Sequence, residues 1–208
     1  MATKPFAVKG MNITSPKGKA LWCKAKDPDY MYNEKGVYST SLVCDPNDEA
    51  VQKFISQLEE LRDVAYAETK ETLGAKGNAY KAREVYSDDI DAEGNPTGNI
   101  VFKFKMNNVA DRTAQGNTDK IFVVDAKRNE IKDVPLVGNG SVIRCVAYAN
   151  PYTAPNTKEV GISLIWTKMQ IVDLVEYAGG SATEFEEEDG FTDSTASKAA
   201  SFDEEDDF

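Results

Sequence analysis

The sequence contains no histidine and little cysteine. None of its 208 residues is His and only three are Cys. Without histidine, Ser-His-Asp and Cys-His mechanisms and the common zinc hydrolase sites are excluded. Nucleases that use carboxylates and a metal need no histidine, and this class stays open. Cys23, Cys44 and Cys145 are far apart, odd in number and flanked by apolar residues, which predicts reduced core thiols rather than disulfides or a zinc site.

Long apolar runs are also missing. No run approaches the roughly 18 residues of a membrane span, and the N-terminal MATKPFAVKG lacks the apolar stretch of a signal peptide. We therefore expect a cytoplasmic protein with no membrane association. The hydrophobic fraction of 41% is enough for one core.

Positive charge is scarce overall, but the deficit is local. The formal net charge is −11, from 24 basic and 35 acidic residues. Residues 184–208 hold eleven of the acids and a single cation, Lys198, which leaves 23 basic and 24 acidic residues in the rest of the chain. A low pI normally argues against nucleic acid as a partner. Here the body is nearly neutral and can carry a basic face.

The acidic C-terminal segment cannot build a core. Dense like charge, padded with Ser, Thr, Ala and Gly, predicts a disordered interaction tail over 179–208, after a folded domain over 1–178. The tail is either a solubilising segment or a detachable ligand, in which acids steer and a terminal aromatic anchors. The ligand interpretation assigns partner binding to the last six residues: Asp203, Glu204, Glu205, Asp206, Asp207 and Phe208.

The rest of the chain has the periodicity of strands and one helix. Alternation predicts strands over 6–13, 19–26, 37–44, 101–106, 120–125, 141–149, 160–166 and 170–176. A stripe at helical spacing predicts a helix over 46–73, capped by Asp45 and stopped by Gly74. Its apolar members are Val51, Phe54, Ile55, Leu58, Leu61 and Ala65. This order predicts a mainly β fold with one long helix, an antiparallel β-barrel like the oligonucleotide/oligosaccharide-binding (OB) fold.

Cationic and aromatic residues share the predicted outer faces of several strands. A protein surface that binds single-stranded nucleic acid needs this mixture, because cationic side chains follow the phosphates and flat side chains stack on the bases. Each pair alone has an ordinary explanation, since outward lysines block edge pairing and a strand Trp is usually core. Together, within one barrel, they predict a DNA-binding set: Trp22, Lys24, Lys26, Tyr30, Tyr32, Lys103, Lys105, Arg144 and Tyr148.

Two other functions remain alternatives. The stretch DDIDAEGN, 88–95, resembles the start of a calcium loop, but its twelfth position is Ile100 instead of Glu, so a hairpin loop is the better prediction. A magnesium-dependent nuclease acting on DNA would use the carboxylates of Asp88, Asp89, Asp91 and Glu93. The third interpretation is an acidic interaction or virion protein that binds no nucleic acid.

The sequence resembles the T7-type single-stranded DNA-binding proteins of bacteriophages. The resemblance is carried by the tail FDEEDDF and by the body segments GKALWCKA, GVYSTSLVCDP, GNIVFKFKMN and GISLIWTKMQIVDLVEY. It implies an OB-fold protein without cofactor that acts in phage DNA replication, recombination and repair and promotes strand annealing in the host cytoplasm. It further implies a tail that recruits the phage DNA polymerase and helicase-primase, and it allows for a homodimer. Lys103 and Lys105 resemble the family's basic strand under the DNA, and Phe208 resembles its terminal anchor.

Overall fold

Strands dominate the structure, a computed structural model that describes residues 5–31, 33–107 and 120–176. Its single sheet has nine strands. They are β1 (Met11–Thr14), β2 (Gly18–Asp29), β3 (Val37–Cys44), β4 (Lys81–Ala82), β5 (Ser87–Ile90), β6 (Pro96–Asn107), β7 (Phe122–Val124), β8 (Val142–Ala154) and β9 (Glu159–Asp173). The helix α1 (Glu49–Leu73) and a short 3-10 turn, Gly74–Ala79, connect β3 to β4.

Five of the strands close a barrel. Neighbouring strands pair in the order β8, β2, β3, β6 and β9, and the pairing of β9 with β8 closes the ring. All of these pairings are antiparallel except that between β6 and β9, which is parallel. If the five barrel strands are numbered by their order in the chain, their order around the barrel is first, second, third, fifth and fourth. This arrangement is an OB-type barrel, as the sequence predicted.

The helix lies within the long connection between the second and third barrel strands, β3 and β6, and packs on the barrel core. Its predicted apolar stripe is buried throughout, and the Phe54 ring meets the Phe102 ring edge-on at 5.0 Å between centroids. It ends at Gly74, as predicted, in a left-handed φ of 54°. The predicted start was wrong. Asp48 caps the helix by accepting the Ala50 N–H at 2.7 Å, whereas Asp45 accepts the Asn47 N–H and closes a turn ahead of it.

The barrel interior follows the predicted alternation in β3, β6 and β8. Its buried side chains are Tyr38, Leu42, Cys44, Phe102, Phe104, Met106, Ile143, Cys145 and Ala147. The two strands predicted over 160–166 and 170–176 are instead one strand, β9. Trp166 pairs with Ala147 while Lys168 pairs with Val146, so Thr167 forms a bulge. The bulge changes which of the alternate residues point inward, so the side-chain pattern of the one strand resembled that of two strands.

The N-terminal segment departs from the predicted strand over 6–13. Only Met11–Thr14 pairs, with β8. Ahead of it, the Ala7 and Val8 N–H groups donate to the Glu68 carboxylate on α1 at 2.6 and 2.9 Å, and Phe6 is buried beside the helix. This segment is therefore fastened to the helix rather than to the sheet.

The three cysteines are free, as predicted. Burial raises the pKa of the Cys23 thiol to about 11 and that of Cys44 to about 12, and it raises the pKa of Cys145 well above its usual value. All three thiols are therefore protonated at neutral pH. Within the described ranges, no helix is both long and apolar enough to cross a membrane.

Candidate nucleic-acid interface

A β-bulge in β2 sets the geometry of the candidate site. Leu21 pairs with Ser41 but Lys24 pairs with Ser39, so one extra residue is inserted between them. Trp22 lies in this bulge with a φ of 53°, the left-handed region that bulky residues rarely occupy. Such a conformation costs about 1–3 kcal/mol and persists only where the surroundings hold it.

The bulge turns Trp22 into solvent. Its side chain is 72% exposed, and Lys24 and Lys26 are exposed as their alternation predicted. One part of the predicted pattern was wrong: alternation with Trp22, Lys24 and Lys26 outward puts Leu21 on the inner face, but Ala20 is the fully buried residue there. The extra residue of the bulge changes which alternate residues point inward, so the buried residues are Ala20 before the bulge and Ala25 after it.

Trp22 opens onto a cleft of about 450 Å³ between β2 and the segment 135–139. Four predicted DNA-binding residues meet in it. The cleft is lined by Trp22, Lys24, Lys26, Tyr30, Leu136 and Asn139, among others. Tyr30 is 58% exposed, so two accessible aromatic rings and two lysines border the same space. Tyr32, predicted with them, lies outside the described residues.

The cationic surface continues from the cleft across the barrel. On the outer face, Lys24 pairs with Ser39 on β3, and Ser39 pairs with Lys105 on β6. Two strand spacings of about 4.8 Å each separate the backbones of the two lysines by about 10 Å. Lys103 is also exposed but lines a separate depression of about 140 Å³, together with Arg83.

The structure does not bring Arg144 and Tyr148 into the cleft. Tyr148 on β8 pairs with Ile165 on β9, which in turn pairs with Lys105. The Tyr148 ring is half-buried against Gly10, where a β-carbon would lie 2.6 Å from a ring atom. Arg144 is also half-buried, and its Nε has no hydrogen-bond partner within the described structure. Neither side chain presents the open face that a stacking or phosphate-binding group in the cleft needs.

Two residues of the cleft were not identified from the sequence. Leu136 is 53% exposed in a short apolar stretch that carries no periodic signal. Asn139 lies between Gly138 and Gly140, and its Oδ1 accepts the Trp22 N–H at 2.8 Å. The Gly-Asn-Gly turn signal could have marked this position as a loop, but not its partner in β2.

Lys26 in the cleft is held by a weak salt bridge. The Lys26 Nζ lies 3.3 Å from Asp133 Oδ1, but the Asp133 side chain is 94% exposed. Exposed pairs of this kind contribute about 0–1 kcal/mol. Lys26 can therefore exchange this carboxylate for another anion at small cost. Cys23 also lines the cleft, and its raised thiol pKa leaves it protonated and unreactive at neutral pH.

The acidic stretch 88–95 is a hairpin between β5 and β6, as predicted. Its carboxylates accept local hydrogen bonds. Asp91 Oδ1 accepts the Asn95 N–H at 2.8 Å, and Asp89 Oδ2 accepts the Thr97 hydroxyl at 2.8 Å. Across residues 5–31, 33–107 and 120–176, no three Cys, Asp or Glu side chains are grouped to hold a metal ion. The hairpin is thus shaped by turn contacts.

The six predicted partner-binding residues, Asp203–Phe208, lie outside the described residues. The described chain ends at Glu176, which forms an isolated bridge with Val137. Val137 is itself part of the cleft lining.

Comparison with known proteins identifies relatives of the chain. A family model described as single-stranded DNA-binding protein of bacteriophage T7 matches residues 17–177. The single-stranded DNA-binding protein of Escherichia phage T7 is 27% identical over 177 residues, 81% of this chain and 76% of that protein. Its counterpart from Enterobacteria phage T3 is 25% identical over 162 residues, 75% and 70% of the two chains.

Solved structures agree with the sequence comparison. The crystal structure of gp2.5, a single-stranded DNA-binding protein encoded by bacteriophage T7, has a TM-score of 0.63 and 25% identity, covering 89% of this chain and 100% of that one. The single-stranded DNA-binding protein of bacteriophage Enc34, in complex with single-stranded DNA, has a TM-score of 0.51 and 16% identity, covering 81% and 89%. The second likeness concerns the fold alone.

Proposed function

The chain belongs to the family of the bacteriophage T7 single-stranded DNA-binding protein, and we propose from this premise that it binds single-stranded DNA without sequence preference. It is a binding protein, as its relatives are, and not an enzyme. We assign the DNA to the cleft beside β2 and to the cationic surface that continues from it onto β6.

The observation that carries this proposal is the exposed Trp22 in a cleft that also holds Tyr30, Lys24 and Lys26. An indole that is 72% exposed contributes little to the core, and here it borders the same cleft as a second exposed aromatic ring and two lysines. Every base has a flat face, and stacking on an aromatic ring is therefore tolerant of sequence. The lysines supply the phosphate contacts that stacking lacks.

The strand pairing indicates a path for the DNA backbone. A strand that stacks a base on Trp22 can pass Lys24, cross Ser39 and reach Lys105, about 10 Å further on. Serine at the crossing is small and uncharged, which leaves the phosphates free to approach the flanking lysines. Lys103 lies beyond, in its own depression, and extends the same cationic strand.

We assign the remainder of the function to phage DNA replication, recombination and repair, including strand annealing, in the cytoplasm of the infected cell. In this proposal residues 1–178 are the DNA-binding domain and 179–208 an acidic tail. The tail competes with DNA for the basic surface and recruits the phage DNA polymerase and helicase-primase through Asp203–Phe208. The charge of residues 184–208, eleven acids against one cation, supports the competition, because the cleft presents Lys24 and Lys26 as cations. A homodimer is compatible with this role.

The test is a titration of labelled single- and double-stranded oligonucleotides at about 50 and 200 mM salt. We expect tight, salt-sensitive binding to single strands of any sequence and weaker binding to duplexes. Incubation of the same single strand with magnesium should leave it intact. Equal affinity for duplex and single strand would contradict the assignment of an unstacked base to the cleft, and magnesium-dependent cleavage would indicate the nuclease alternative.

A further inference from the structure

The strained backbone at Trp22 is held by a group from a distant part of the chain. The Trp22 N–H donates to Asn139 Oδ1 at 2.8 Å, across 117 residues of sequence. Because the bulge takes this amide out of the ladder, it needs an acceptor from elsewhere. An asparagine side chain supplies one through its carbonyl oxygen.

The turn that carries Asn139 is fixed to β2 on one side. The Gly140 N–H donates to the Ala20 carbonyl at 2.9 Å, and the Ala20 N–H donates to the Ser141 carbonyl at 2.8 Å. Ala20 is fully buried. The turn and the residues just ahead of the bulge are therefore held together by backbone bonds in both directions.

The same turn is fixed to the end of the body on its other side. The Gly138 N–H donates to the Val175 carbonyl at 2.8 Å. The buried Ser141 hydroxyl donates to the Gly138 carbonyl at 2.8 Å and accepts the Val175 N–H at 3.0 Å. With both flanks fixed, Asn139 is a preorganised acceptor rather than a surface side chain that happens to reach Trp22.

We propose that Asn139 is a positioning residue for DNA binding: its side chain holds the Trp22 backbone in the bulge so that the indole stands in the cleft as a platform for a base. This inference rests on the proposed function, in which Trp22 stacks on DNA. Without the acceptor, the Trp22 amide must turn toward water and its backbone returns to negative φ, which carries the ring away from the lysines. Asn139 thus acts through Trp22 and need not touch DNA.

The experiment is a double-mutant cycle in the full-length chain. Asn139→Ala, Trp22→Ala and the combined variant are titrated against labelled oligo(dT). Trp22→Ala should weaken binding about 5- to 150-fold, the range of one base–aromatic stack. Asn139→Ala should weaken it about 2- to 12-fold, as expected for one lost hydrogen bond, and should add nothing in the Trp22→Ala background. Asn95→Ala, at an exposed turn of the β5–β6 hairpin, is the matched control and should bind normally.

A second measurement reports on the ring without DNA. The chain has two tryptophans, and Trp166 is fully buried and present in both the native chain and the Asn139→Ala variant. A difference in tryptophan anisotropy decay between these two proteins therefore comes from Trp22. Asn139→Ala should increase the fast component of the decay. Asn139→Asp keeps an acceptor oxygen at the same distance and should restore the native decay.

The outcomes separate the two proposals. If Trp22→Ala weakens binding while Asn139→Ala neither weakens binding nor mobilises the ring, the positioning role is overturned and the proposed function stands. If Trp22→Ala binds as the native chain does, the stacking role fails and the positioning role for DNA fails with it. Additive losses in the combined variant would show that Asn139 acts independently of Trp22, which also overturns the inference.

Discussion

The double variant Lys103→Ala, Lys105→Ala tests whether β6 lies under the DNA backbone. Both side chains are exposed on the outer face, and Lys105 lies two strands from Lys24 of the cleft. Each phosphate contact with a single strand contributes roughly 0.7 to the slope of log affinity against log salt, so the two together contribute roughly 1.4. Over a fourfold rise in salt, the native chain should lose roughly sevenfold more affinity than the variant.

Anisotropy titrations of labelled oligonucleotides between about 50 and 200 mM salt measure this slope. The reduction should be the same for oligo(dT) and for mixed sequences, because phosphate contacts carry no sequence information. The control is Lys53→Ala with Lys76→Ala, which removes the same charge from exposed positions on α1 and the turn after it. A salt slope that is native in the β6 variant, or reduced equally in the control, would refute the assignment.

Three further predictions follow from the cleft, the tail and the thiols. Trp22→Ala should cost about 1–3 kcal/mol of DNA affinity with little effect on the melting temperature, whereas Trp166→Ala, fully buried, should cost about 3–5 kcal/mol of unfolding free energy; the reverse pattern would place Trp22 in the core. Deleting residues 184–208 should tighten DNA binding, most at low salt, and an unchanged low-salt affinity of this deletion would rule out competition between the tail and DNA. Removing Phe208 alone should leave DNA affinity nearly unchanged and abolish polymerase capture in a pull-down. Because burial raises the Cys23 pKa from 9.0 to about 11, unfolding free energy measured by denaturant titration should fall as pH rises through this window, since only the unfolded thiol ionises there; Cys23→Ala should reduce that fall.

Periodic segments of the fold were predictable from the sequence, and irregular ones were not. The helix stripe and the inward faces of β3, β6 and β8 follow from side-chain spacing alone. The helix start was misplaced because Asp45 and Asp48 are both good caps, and only the fold decides between them. The bulges at Trp22 and Thr167 change the parity of their strands without changing composition, so alternation could not locate them.

The candidate site was partly predictable for the same reason. Trp22, Lys24 and Lys26 share one strand, and Tyr30 follows directly, so local spacing brings them together. Asn139 is 117 residues from Trp22 in sequence. The two meet because the Ala20 N–H donates to the Ser141 carbonyl and the Gly140 N–H donates to the Ala20 carbonyl. Arg144 and Tyr148 showed the same outward pattern as the lysines, but spacing does not say how far an outward side chain is buried, and both are half-buried.

The pairing of β9 bears on how the chain is made. This strand is the last to leave the ribosome among the nine, yet it pairs with β4, β6, β7 and β8. Until it emerges, β6 and β8 have open edges and the barrel lacks its parallel contact. Folding of the body is therefore completed only after nearly the whole domain has been synthesised, and a chain that stops before Glu159 exposes two strand edges to aggregation.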